Sequence, residues 1–299
     1  NKSYYKLLFM LSKIKIISSI FIIWISLYSF SNIDIIVASI FILSIGLGHG
    51  ACDITLITTK LNTSSFKIKA VIIFLYILTA FTAFLVVYNL PLIGFITFLL
   101  ISSYHFGEQH FHNKLSNSKM KFWHFSLYGM VIFLLMIETN KESVINILNP
   151  LIESEINQFP IQTILFVFMG LTALLWIVDY KNLRFSIPKE LFYLLVIYVL
   201  FYNTNLIVSF ASYFVIWHSI PSIHDQIHYL YKDVSKKTIL LYLKKSGYYW
   251  AVSIAGLIFL VSYGEIMGEN FYRILYSFVV SVTIPHIFLI NNILSESNQ

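Results

Sequence analysis

Nine histidines are spread along a chain of 299 residues, and four of them share a spacing. His49 follows Asp34 by about 15 residues, His105 follows Pro91 by about 14, His218 follows Asn205 by about 13 and His286 follows Asn270 by about 16. At ~1.5 Å per helical residue, each lies ~20 to 24 Å from the same end of its own apolar segment. Four imidazoles at one depth on four different helices can converge inside a bundle, the geometry that a single metal ion requires. Donors of nitrogen without a thiolate suit iron, zinc or copper, and an octahedral ion held by four imidazoles keeps two positions open for chemistry. A lone membrane histidine more often makes an interhelical hydrogen bond, so the metal reading rests on the shared depth.

The neighbours of these histidines fit the same reading. Asp53 lies four residues beyond His49 and Glu108 three beyond His105, spacings that put each carboxylate on its histidine's helix face, where it can take the second ring N–H. An ion pair or a solvated helix end is the alternative for both. His224, six residues past His218, is the reserve ligand, whereas His110, His112 and His124 are expected at the membrane interface. Gly46, Gly48 and Gly50 around His49 predict close helix approach or a local distortion. The chain holds 27 Phe, 20 Tyr and 5 Trp, and Tyr104, Phe106, Phe111, Tyr213, Phe214 and Trp217 gather near the candidate ligands. A long flat apolar substrate would want such a lining, though core packing alone would also place aromatics there.

The elements that must carry these residues are membrane helices. With 58% hydrophobic and 11% charged residues and a mean hydropathy of +0.78, the composition excludes a soluble monomer, a disordered chain and a collagen. The single cysteine, Cys52, excludes an internal disulfide. We expect an all-α polytopic transmembrane bundle of about 10 spans (8 to 10), over about 16–31, 35–57, 69–88, 91–110, 122–138, 161–178, 189–203, 205–228, 247–263 and 270–291. The chain reads as one integral membrane domain, 1–299, with an outer interfacial helix within 139–160. Lysines alternate between loops: Lys60 and Lys67, then Lys114, Lys119 and Lys121, then Lys181, Arg184 and Lys189, then Lys232 to Lys245 stand on one side, while Asp34, Glu142 to Glu155, Glu265 and Glu269 mark the other. The positive-inside rule then puts both termini in the cytoplasm, and the net charge of +6 reports topology in a cell membrane with no nucleic-acid partner. Lys2, Lys6, Lys13 and Lys15 precede the first apolar run with no small-residue cleavage site behind it, so no cleavable leader is expected in these residues.

Four segments, Gly48-His49-Gly50-Ala51-Cys52-Asp53, Ser103-Tyr104-His105-Phe106-Gly107, Trp217-His218-Ser219-Ile220-Pro221-Ser222 and Pro285-His286, resemble the Brp/Blh (bacteriorhodopsin-related-protein-like) family of membrane beta-carotene 15,15'-dioxygenases. The resemblance runs from about residue 35 to 291, and it implies an Fe(2+) enzyme that cleaves the central double bond of beta-carotene with O2 to give two retinal molecules. The lipid bilayer would deliver the substrate, and a retinal-binding protein is the implied recipient of the product. His49, His105 and His218 would be iron ligands. In the family a further histidine often follows the tryptophan-histidine motif by four residues, and here that position is Ser222. The fourth ligand then falls to His286, whose depth matches, with His224 as the alternative, while Asp53, Glu108 and Ser222 stand behind the ligands. Tyr104, Phe106, Tyr213, Phe214 and Trp217 would line the substrate path. The rival readings are a two-iron membrane desaturase, suggested by the proximity of His105, His110 and His112, a proton-relaying transporter, and a carotenoid or retinal carrier without turnover.

Overall fold

Without water to satisfy them, backbone N–H and C=O groups in a hydrocarbon layer must bond within their own segment, so long apolar runs are forced into helices. The computed structural model describes residues 2–28, 33–112, 114–115, 118–152, 159–183, 185–263 and 270–296. It contains α1 (Lys2–Tyr28), α2 (Ile33–Lys60), α3 (Phe66–Asn89), α4 (Pro91–Phe111), α5 (Lys121–Thr139), α6 (Lys141–Ile152), α7 (Ile161–Val178), α8 (Ile187–Tyr202), α9 (Leu206–Tyr231), α10 (Lys236–Ser262) and α11 (Asn270–Glu296). Among the described residues no strand forms beyond an isolated bridge between Leu115 and Leu183. Local sequence sets the helix starts. Pro91 opens α4, where its missing N–H costs nothing. Asn205 accepts from the Val208 N–H at the start of α9, and Ser235 and Thr238 form a reciprocal capping box on α10.

Among the described residues, six helical segments are long and apolar enough to cross a membrane: α2, α3, α5, α7, α9 and Arg273–Ile290 within α11. They coincide with six of the ten expected spans. The remaining four expected segments are helical too, as α1, α4, α8 and α10, but α8 has only 16 residues, ~24 Å against a ~30 Å hydrocarbon layer. The 139–160 stretch contains α6, whose Val144, Leu148 and Leu151 are buried at helical spacing with Glu142 in the first turn. Glu153, Glu155, Arg184, Glu265 and Glu269 lie outside the described residues.

Contacts divide the chain into two compact units, built from alternating stretches of sequence. Residues 1–46, 103–147 and 155–221 form the first, and 47–102, 148–154 and 222–299 the second. In the first unit α5 packs along α7 and α8. There a Cβ on Gly107 would overlap the Phe125 carbonyl and one on Gly129 would overlap the Ser103 carbonyl, so α4 and α5 cross with their backbones in contact. In the second unit α3 packs along α11, and Cys52, Ile227 and Tyr242 form one buried cluster beside a second built on Leu56 and Ile290.

Two of the helices are irregular next to a candidate ligand. Residues Ile42–Gly46 of α2 and Tyr213–Ser219 of α9 wind as π-helix, a form concentrated at functional sites, and the two π segments pack together in the first unit. A Cβ on Gly46 would come within 2.9 Å of the Phe214 ring, so glycine permits that approach. Beyond the π segment α2 breaks once more, at the turn Ala51–Cys52. The distortion expected from the glycines around His49 is therefore present on both sides of it.

Candidate metal-binding histidines

In the second unit His49 and His286 meet edge to face, with ring centroids 4.7 Å apart and planes at 83°. Both are buried, at 6% and 5% exposure. His286 Nδ1 lies 2.9 and 3.0 Å from the two oxygens of Asp53, so its N–H donates to a carboxylate that is itself 2% exposed. The Tyr76 hydroxyl donates to Oδ2 of the same carboxylate at 2.9 Å. With Nδ1 engaged, Nε2 is the His286 nitrogen that can address a metal, the arrangement that fixes tautomer and ring orientation in metal-ligating histidines. By sequence spacing Asp53 belongs to His49, as its i+4 neighbour. The turn at Ala51–Cys52 resets the helical phase between them, and the carboxylate meets the histidine of another helix instead.

In the first unit His105 and His218 form a second pair, centroids 4.8 Å apart and planes at 68°, each 2% exposed. Phe106 lies 4.4 Å from the His218 ring and stacks on Phe133 at 5.2 Å, and Phe214 stacks on His218 at 5.8 Å with Tyr213 5.6 Å from Phe106. Three of the five expected lining residues thus surround His218. Trp217 and Tyr104 do not join them: the Trp217 indole N–H donates to Ser19 Oγ at 3.1 Å beside Tyr193, and Tyr104 packs on Phe122 and Phe125. The Tyr104 hydroxyl donates to Glu108 Oε1 at 3.4 Å.

Among the described residues no group of three or more His, Cys, Asp or Glu side chains is arranged to hold a metal ion. What each unit offers is a buried pair of imidazoles. Imidazole suits ferrous iron in its chemistry, each pair supplies two such donors, and one of the four, His286, is backed by a buried carboxylate. The family model described as beta-carotene 15,15'-dioxygenase matches residues 40–294, which contain all four histidines and Asp53. The chain belongs to that family. It is also 27% identical over 260 residues to the beta-carotene 15,15'-dioxygenase of uncultured marine bacterium 66A03, an alignment spanning 83% of this chain and 89% of the other. No solved structure matches it. By family the chain is an oxygenase.

The other polar residues of this dioxygenase-family chain have separate tasks. His224 Nδ1 lies 3.1 Å from Asp225 Oδ1, and Ser222 accepts from Gln226 Nε2 at 3.2 Å. The side chains of His110 and His124, expected at the membrane interface, are enclosed within the protein in carboxylate networks, each with an acid from a neighbouring element. His110 Nε2 lies 2.7 Å from Glu190 Oε2, while Lys114 Nζ reaches Glu190 Oε1 at 2.7 Å. His124 Nε2 is 2.8 Å from Asp179, which also accepts from Ser118 and, at 2.6 Å, from Asn182. Burial pushes the Asp179 carboxyl up, but the Asn182, Ser118 and His124 bonds outweigh it and hold it below its ordinary value. His112 is half-buried. Sequence alone does not single out Tyr76, Gln226, Tyr242, Asp179 or Glu190. The signal available for Glu190, Gln226 and Tyr76 is their place in expected spans, and for Asp179 and Tyr242 there is none beyond polar residues beside apolar runs.

Proposed function

We propose that this chain cleaves the central 15,15' double bond of beta-carotene with O2 to give two retinal molecules, using Fe(2+) held by His49, His105, His218 and His286. The observation that carries the reading is the occurrence of two buried imidazole pairs, one of them tied to a buried carboxylate, in a member of this family. The equal depth of the four histidines along their helices supports assigning both pairs to one ion. Bound ferrous iron supplies the activation of dioxygen. The protein's residues do the placing. Asp53 receives the His286 Nδ1–H and keeps Nε2 toward the ligand side, and Tyr76 fixes the carboxylate that does so. Phe106, Tyr213 and Phe214 give His218 an aromatic surround against which a polyene can lie, and the burial of Phe106 and Tyr213 keeps the reacting atoms away from water. Cleavage at one bond among many equivalent ones is a matter of holding the polyene in register, with no protein acid or base called for. An apolar substrate dissolved in the bilayer accounts for an enzyme built from membrane helices. All ten helical segments cross the cell membrane in this reading, with both termini cytoplasmic and retinal released to a retinal-binding protein.

The test is expression in a bacterium that accumulates beta-carotene, with retinal and residual carotene quantified by chromatography beside His49→Ala and His218→Ala variants and iron measured on the purified chains. Retinal from the intact chain alone, with near one iron per chain, supports the proposal. Unchanged carotene with a folded, iron-loaded chain sinks it, and near two irons per chain points to a desaturase-like centre.

A further inference from the structure

The carbonyl of His49 stands at the end of the four-residue helical turn Leu47–Gly50, just before α2 breaks at Ala51–Cys52. That carbonyl is held from α9. Gln226, 4% exposed, donates Nε2 to the His49 carbonyl at 3.0 Å and to Ser222 Oγ at 3.2 Å. Its Oε1 accepts from the Tyr242 hydroxyl of α10 at 2.7 Å, and Tyr242 is 1% exposed. A carboxamide can be flipped end for end, but here the orientation is determined: a flip would set Oε1 against the His49 carbonyl oxygen. Tyr242 thus aims the amide, and the amide caps the turn that carries the histidine. All four residues belong to the second unit.

We infer that Gln226, oriented by Tyr242, is a positioning residue for His49, fixing the main chain of the ligand from α9. This rests on the assignment of His49 as an iron ligand. Outer groups that orient a ligand typically account for ~10- to 100-fold in metal affinity or activity. Gln226→Met has nearly the same length but no hydrogen bond, and Gln226→Glu sets a carboxylate oxygen against the carbonyl where the N–H stood. Ser222→Ala keeps the bond to His49 and removes the amide's other acceptor.

The measurement uses the full-length chain in lipid nanodiscs, loaded with ferrous iron and then challenged with a ferrous chelator. Iron dissociation, equilibrium affinity and the thermal midpoint of the iron-free protein are followed together. We expect the Met and Glu variants to lose iron ~10- to 100-fold faster, and Tyr242→Phe and Ser222→Ala to fall between them and wild type. Wild-type iron kinetics in both Gln226 variants overturn the inference and leave the iron assignment standing. A lowered thermal midpoint with unchanged iron affinity also overturns it, because the amide then only braces α9. A wild-type chain that takes up no iron refutes the assignment on which the inference rests, and the inference with it.

Discussion

Removing the Asp53 carboxylate tests the His286 ligand without touching a ligand. Both Asp53 oxygens lie within hydrogen-bond distance of His286 Nδ1, at 2.9 and 3.0 Å, and Oδ2 also receives the Tyr76 hydroxyl. Asp53→Asn keeps one acceptor for the imidazole N–H and loses the negative charge, so the ring keeps its orientation while its basicity falls. Asp53→Ala removes the acceptor as well and leaves a buried N–H to be satisfied, at a cost of ~1–3 kcal/mol. The expected losses in ferrous-iron affinity are ~10-fold for Asn and ~100-fold for Ala, or about 1.4 and about 2.8 kcal/mol. Tyr76→Phe, which spares the Asp53–His286 contact, should cost less than either. Competition against a ferrous chelator on the chain in nanodiscs reads the affinity, and retinal yield in carotene-accumulating cells reads the consequence. Wild-type affinity in a folded Asp53→Ala chain would refute the reasoning, since a carboxylate that orients a ligand cannot be dispensable to the metal.

Gly107→Ala and Gly129→Ala each drive a methyl into a carbonyl of the facing helix and should lower stability by ~1–3 kcal/mol or more, whereas Gly256→Ala in α10, with open space at its Cβ, should raise it by ~0.5–1 kcal/mol. Thermal unfolding in detergent separates the two directions. The Asp179 carboxyl is held below its ordinary 3.8, so its contribution is whole above about pH 4 and is lost as pH falls through the lower folded value. Acid unfolding of wild type should accordingly be steeper below pH 4 than that of Asp179→Asn. Trp217→Phe should cost ~1 kcal/mol of stability through the lost bond to Ser19 while leaving iron content unchanged, and loss of iron in that variant would contradict the orientation of the indole.

Hydropathy and loop charge make the helices legible, because lipid permits apolar runs little else. Counting residues along each helix also puts four histidines at one level, and the structure groups them as two pairs. Partnership across helices is beyond that count. Asp53 sits four residues from His49, yet the turn at Ala51–Cys52 gives it to His286, and no period in the sequence announces where a helix loses its phase. Trp217 neighbours His218 in sequence but, on a π segment, its indole reaches Ser19 instead. Position near a helix end points His110 and His124 to the interface, but the acids they pair with come from 80 and 55 residues away. Long-range pairing of polar side chains is a property of the packed bundle, and a single sequence carries little trace of it.

The π segment Ile42–Gly46 has a further consequence for how α2 tolerates change in length. A π turn carries a surplus residue relative to the regular helix, so the helical stretches on its two sides are set at independent azimuths. Ile33–Phe41 can present its exposed isoleucines, Ile36 and Ile40, outward while the segment after the π turn keeps His49 buried, a combination one uninterrupted rotation need not allow. Deleting one residue within 42–46 would anneal the helix to regular form and leave His49 near its present azimuth, whereas deleting a second would swing it by ~100° without altering any side chain. The bearing of that imidazole is thus written in the number of residues ahead of it as much as in their identity.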